Sequence, residues 1–259
     1  MCGAGGECSR LVSTHLPLEE ATVKLICIGD SITRGQVSAD YVTMLRARLP
    51  EAAVLNSGVN YELSAQTLDR LDDVIRQDPD VVTVLIGTND ANFTLSPRLA
   101  RTLRKRWGLT AAPDVEGYAA NLTAIARRLQ DETMARVGLL SLPVIGEELG
   151  SEPVRRAAEY SAIVREVAAE QGVSYLPLNE RMTAYLEERG RTPGTRYRPE
   201  GRLAQTAAIQ HLLLGRGLDA ISRSRGLQLT TDTVHLNGRG AAMVADLVEA
   251  FAARSIAPH

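Results

Sequence analysis

Val23-Lys24-Leu25-Ile26-Cys27-Ile28-Gly29-Asp30-Ser31-Ile32-Thr33-Arg34-Gly35 decides how this chain is read. A short apolar run of strand type gives way at once to small polar residues and a second glycine. A strand with no polar alternation is buried on both faces, as in a parallel sheet. When it ends in small polar residues ahead of a helix, it delivers their side chains to the carboxyl edge of an open α/β sheet, where ligands bind. Ser31 is therefore a candidate nucleophile. Taken alone, the stretch also fits the commoner use of Asp, Ser and Thr, which is to cap the helix that follows.

The same punctuation recurs downstream. A strand predicted over 52–56 runs into Ser57-Gly58-Val59-Asn60-Tyr61-Glu62, and a β-branched run over 81–86 stops at Gly87-Thr88-Asn89-Asp90. Strands at 137–142 and 173–178 make five. Helices are predicted at 39–49, 64–77, 118–131, 153–171 and 180–189, with a last one at 239–253. Strands alternating with helices indicate a parallel sheet covered on both faces. Two stretches break the alternation. The first, 92–113, reads as an insertion carrying Arg98, Arg101, Arg104, Lys105 and Arg106 ahead of Trp107. The second, 190–229, is irregular with a helical piece near 203–214 and is expected to act as a lid. The 259 residues fit a loose tail over 1–22 and one domain over 23–259.

Composition narrows the partners. The formal net charge is -2, so no charge bias points to nucleic acid, and the basic run is read as the solvated face of a surface helix. No apolar run approaches the roughly 20 residues that span a bilayer. Cys2, Cys8 and Cys27 are odd in number, and Cys27 lies within a strand, so a reducing interior without a disulfide framework is expected. Cys2 and Cys8 lack the partners of a zinc site. The segment 1–22 has no apolar core of a secretory signal, and a cytoplasmic location is expected.

Ser31, Tyr61 and Asn89 each lie just past the end of a strand, so parallel strands bring them to one edge. Asp232 and His235 precede the last helix. A serine attacks only when a base takes its proton and that base is held in the right tautomer. Asp-x-x-His in a turn lets the carboxylate reach its own histidine. Asn89, with backbone N–H groups near Ser31, would supply donors to a developing oxyanion. Asp30, Gly58 and Asn60 are read as further cleft residues, Asp30 bracing its loop and Gly58 serving the turn. Glu147 and Glu148 follow the fourth strand, where the cleft is expected.

Gly29-Asp30-Ser31-Ile32-Thr33, Asn56-Ser57-Gly58-Val59-Asn60, Gly87-Thr88-Asn89-Asp90 and Asp232-Thr233-Val234-His235-Leu236-Asn237 occur in the order of the motifs of the SGNH (GDSL-type) hydrolases. The chain resembles that family over most of its length. The resemblance implies a flavodoxin-like three-layer α/β/α sandwich with a five-stranded parallel sheet of order 2-1-3-4-5. It implies ester hydrolysis through an acyl-enzyme, with Ser31 as nucleophile, His235 as base and Asp232 as its partner. Asn89 and the Ser31 N–H would belong to the oxyanion hole. The G-x-S-x-G elbow of the other common serine-hydrolase fold is absent.

In one place the sequence departs from the family pattern. The second family segment continues to a glycine followed by Asp, and that glycine donates its N–H to the oxyanion. Tyr61 and Glu62 occupy those positions here. Either Tyr61 donates normally and its ring shapes the pocket, or a required positive φ or the bulk of the ring weakens the hole. The expected reaction is hydrolysis of a carboxylic ester with a short acyl or O-acetyl group, since no long apolar lid is visible, and with no metal or organic cofactor. An acyltransferase or thioesterase with the same triad, or a catalytically weakened binding protein, are the alternatives. The expected partner is a small-molecule ester rather than nucleic acid or a membrane, with oligomeric state open.

Overall fold

The computed structural model describes residues 23–199 and 201–256, with side chains through 253; the tail predicted over 1–22, Cys2 and Cys8 included, lies outside them. Five strands, β1 (Lys24–Gly29), β2 (Ala53–Gly58), β3 (Val81–Leu85), β4 (Arg136–Leu140) and β5 (Ser174–Leu176), pair in parallel in the order β2-β1-β3-β4-β5. This is the flavodoxin-like order that the resemblance implied.

The apolar run of β1 is unbroken because both of its faces are covered. Leu25 and Cys27 enter one core with the helices Tyr41–Arg48, Leu178–Arg189 and Gly238–Ile256. Ile26 and Ile28 enter the other with Leu71–Ile75, Val115–Glu132 and Glu152–Gln171. Cys27 is buried and free.

The register pairs Gly29 with both Gly58 and Leu85, so β1, β2 and β3 end level and the residues just beyond them share one edge. The glycines permit close approach there. A Cβ on Gly29 would lie 2.2 Å from Thr33 Oγ1, and one on Gly58 would lie 2.3 Å from Arg34 N. Without those carbons the four-residue helix Ser31–Arg34 packs directly on the strand ends.

The structure departs from the sequence reading at several elements. The helix predicted over 64–77 is two, Ser64–Asp69 and Leu71–Ile75, broken at Arg70. Arg70 turns its guanidinium back to the Glu62 carboxylate at 2.5 Å and the Ser57 hydroxyl at 2.7 Å. The insertion 92–113 is largely helical. Thr88–Leu95 is followed by Pro97–Trp107, which Ser96 caps by accepting from Leu99 N at 3.2 Å. In 190–229 the helix Arg202–Ala208 continues as a π-helical turn, Ile209–Leu213, and a second helix, Leu218–Ser224, follows that the sequence did not suggest. Where the sequence shows no long apolar lid, the structure exposes a short apolar patch of Ile209, Leu212, Leu213 and Leu214. Among the described residues no helix is long and apolar enough to cross a membrane.

Candidate active site

Asp30 caps the helix Ser31–Arg34 by accepting from Ile32 N at 2.9 Å. The capping reading therefore holds for Asp30 and not for Ser31, whose side chain is left over. Ser31 Oγ lies 3.0 Å from His235 Nε2, and His235 Nδ1 lies 2.7 Å from Asp232 Oδ2. Asp232 Oδ1 also accepts the N–H of Val234 at 3.0 Å and of His235 at 2.7 Å, which closes the turn on itself.

The electrostatics follow from burial and pairing. Burial works against a charged imidazole, but the Asp232 carboxylate outweighs it and raises the His235 pKa above its ordinary value. Burial works against the Asp232 carboxylate too, yet His235 and the two backbone N–H groups hold it below the usual range. Asp232 is thus an anion that accepts from Nδ1–H, which leaves the Nε2 lone pair to face the serine hydroxyl.

The turn that carries this pair is anchored from outside. Thr230 and Leu236 form an antiparallel bridge, the Leu236 N–H donates to Ser38 Oγ at 3.0 Å, and the Ala39 N–H donates to Leu236 O at 2.9 Å. Thr233 stands at φ 78°, with its carbonyl held by Gly146 N at 2.7 Å. The neighbouring Glu147 is buried. Its carboxylate accepts from the N–H of Gln228, Leu229 and Thr230 at 2.6, 2.9 and 2.7 Å, and from Thr230 Oγ1 at 2.7 Å. Glu147 therefore holds the chain leading to Asp232 rather than lining the cleft. Glu148 pairs with Arg196 at 3.0 Å.

The expected oxyanion donors converge on the same edge. No acceptor within the described residues takes the N–H of Ser31 or of Tyr61. Asn89 Nδ2 donates to Glu62 O at 2.9 Å and lies 3.5 Å from Asp30 Oδ2, so one of its two hydrogens is firmly held and the other weakly. Tyr61 adopts φ 66°, the left-handed backbone for which glycine is suited. That conformation costs another residue about 1–2 kcal/mol. Tyr61 lines the same cavity as Ser31, and the residue is 46% exposed with the Arg106 guanidinium 5.7 Å from its ring centroid.

A cavity of about 360 Å³ opens on Ser31, Asn89 and His235. Both insertions wall it, 92–113 through Leu99 and Thr102 and 190–229 through Tyr197, Leu203 and Ala208. Tyr197 donates its hydroxyl to Asn92 Oδ1, and Ser96 donates to Pro199 O, which ties the two insertions together. Of the further cleft residues expected, Asn60 lines the cavity, whereas Asp30 and Gly58 are buried behind it. Burial pushes the Asp30 carboxyl up to about 7 despite its bond from Ile32 N. The Gly58 N–H donates to Asn56 Oδ1 at 2.9 Å. His211 sits in the π-helical turn. Among the described residues no group of His, Cys, Asp and Glu is arranged to hold a metal ion.

A serine, a histidine and an aspartate thus stand in line at the carboxyl edge of the parallel sheet. Residues 27–243 match the model of the GDSL-like Lipase/Acylhydrolase family, so the chain belongs to that family and is an ester hydrolase. No curated protein matches it. Solved structures similar to it include an acetyl xylan esterase, AlAXEase, with TM-score 0.61 and 21% identity over 88% of this chain and 99% of that one. A lipase/acylhydrolase from Enterococcus faecalis follows with TM-score 0.59 and 19% identity over 92% and 98%. The acetylxylan esterase Axe2 from Geobacillus stearothermophilus has TM-score 0.60 and 20% identity over 92% and 95%. At these identities the likeness is one of fold.

Proposed function

We propose that this ester hydrolase works through an acyl-enzyme on Ser31 and that its substrate is a small carboxylic ester with a short acyl or O-acetyl group. The observation that carries the mechanism is the continuous line from Ser31 Oγ through His235 to Asp232, at 3.0 and 2.7 Å. In this reading His235 Nε2 takes the serine proton as Oγ attacks the acyl carbon, and Asp232 stabilises the imidazolium that results. The N–H groups of Ser31 and Tyr61 and the loosely held hydrogen of Asn89 Nδ2 receive the oxyanion. Collapse expels the alcohol, which collects the proton from His235. Water, deprotonated by the same nitrogen, then releases the acid.

A small substrate is supported by the cavity, whose volume of about 360 Å³ lies at the lower end of the roughly 300–1,000 Å³ of small-molecule sites. The acetyl preference draws on the similar solved structures that are acetyl xylan esterases. Tyr61 lines the cavity and is 46% exposed, which favours a ring that shapes the pocket over one that closes it, and so an enzyme over a mere binding protein. The test is a series of p-nitrophenyl esters and O-acetylated sugars with the wild-type chain and Ser31→Ala. Turnover that falls steeply beyond short acyl chains and vanishes in Ser31→Ala supports the reading. Turnover retained in Ser31→Ala rejects it. Product analysis with an added alcohol separates hydrolysis from acyl transfer.

A further inference from the structure

Tyr61 occupies the position where the family pattern has glycine, and it keeps a glycine-like backbone at φ 66°. Nothing intrinsic to tyrosine favours that conformation, so the surroundings must hold it. The turn is closed locally by the Glu62 N–H donating to Val59 O at 3.3 Å, and the group that takes the Tyr61 carbonyl comes from the last turn of Pro97–Trp107, within an insertion that the family motifs do not include. Trp107 Nε1–H donates to the Tyr61 carbonyl at 2.9 Å. The Arg106 guanidinium lies 5.7 Å from the Tyr61 ring centroid and 4.9 Å from that of Trp107. The helix is in turn seated on the same loop, because Leu103 packs against Leu63 and Phe93 in a small separate core with Trp107 at its margin.

We propose that Trp107 is a positioning residue for the oxyanion site, holding Tyr61 left-handed so that its N–H faces the reacting oxygen. The inference rests on the role proposed above for Ser31. Moving Tyr61 from the left-handed to the extended basin would rotate the peptides on both sides of it. The carbonyl would then leave the indole N–H, and the amide of Tyr61 would turn away from the cavity. Trp107 thereby supplies from a distance the conformational bias that glycine carries in its own backbone. The Glu62 carboxylate, held by Arg70 at 2.5 Å, fixes the residue after Tyr61 but leaves the Tyr61 carbonyl to Trp107.

The experiment is a double-mutant cycle on the rate at which a fluorophosphonate labels Ser31. In that reaction Ser31 Oγ bonds to phosphorus, fluoride leaves, His235 takes the proton, and the phosphoryl oxygen occupies the oxyanion site. The proteins are wild type, Trp107→Phe, Tyr61→Gly and the double variant, each checked for folding by its melting curve. Released from the indole, a strained tyrosine populates the left-handed state less, and Trp107→Phe is expected to slow labelling about ten-fold. In the Tyr61→Gly background the same substitution is expected to cost less than about two-fold, because glycine needs no clamp. Equal losses in both backgrounds, or no loss in either, overturn the clamp while leaving the triad intact. A folded wild-type chain that does not label at all removes the role of Ser31, and the clamp with it.

Discussion

Glu147 Oε1 accepts the backbone N–H of Thr230 at 2.7 Å, two residues before Asp232. With its bonds from Gln228 N, Leu229 N and Thr230 Oγ1, one buried carboxylate satisfies the segment that delivers the Asp232–His235 turn to Ser31. Glu147→Gln would place a carboxamide NH₂ or its oxygen where two oxygens now accept, leaving a buried donor against a donor. The expected cost is about 1–3 kcal/mol of stability. Displacement of the turn should lower kcat on the order of ten- to a hundred-fold, with little change in KM. Urea melts and steady-state kinetics on one ester check both, and a variant that loses stability at full kcat would show that Glu147 does not set the triad geometry.

The pH profile should report the Asp232–His235 pair. Because Asp232 raises the His235 pKa, the acid limb of kcat/KM belongs above the ordinary histidine value. Asp232→Asn removes the charge that raises it, so the imidazole titration should move to lower pH. Activity should fall on the order of a thousand- to ten-thousand-fold, since the amide no longer selects the tautomer. An NMR titration of His235 in the two proteins measures the shift.

Asp30 offers a stability test with a definite sign. Burial raises its carboxyl from an ordinary value of 3.8 to about 7, so the folded state binds a proton that the unfolded state has already released in that window. Stability contributed by this group is therefore lost as pH rises from about 4 through 7. Asp30→Asn keeps an oxygen to accept from Ile32 N and does not titrate. The variant should lose part of the decline in stability between pH 5 and pH 8, the rest belonging to groups such as Asp90, which burial pushes up to about 6. Urea unfolding at both pH values shows whether the slope flattens.

Gly58→Ala tests the contact that seats the serine helix. The added Cβ would stand 2.3 Å from Arg34 N and 2.7 Å from the Thr33 carbonyl carbon, both backbone atoms that cannot swing aside. Destabilisation of about 1–3 kcal/mol is expected, with loss of activity as Ser31–Arg34 is pushed from the strand end. A variant of wild-type stability would mean that the helix has room to move.

The sheet and the position of Ser31, Asp232 and His235 were legible because each depends on local signals. Unbroken apolar runs mark strands buried on both faces, and Asp-x-x-His closes its own turn within four residues. The parts that were not legible depend on contacts between distant segments. Glu147 lies 83 residues from Thr230, and nothing in its neighbours marks it as an anchor. Trp107 reads as the end of a basic helix until folding sets it beside Tyr61. The break at Arg70 arises from a side chain reaching back to Glu62, which overrides a helical pattern continuous through 64–77. The left-handed backbone of Tyr61 runs against the preference of the residue itself, so only its surroundings could reveal it.

The proposed reaction requires an acyl group carried on Ser31. Mixing the wild-type chain with p-nitrophenyl acetate, quenching in acid within the first turnovers and measuring intact and peptide masses detects it. The mechanism requires one acetyl group per chain, located on the peptide containing Ser31, and none in Ser31→Ala. Ester hydrolysis without any acetylated Ser31, or an acetyl group that persists in Ser31→Ala on another residue, would contradict it.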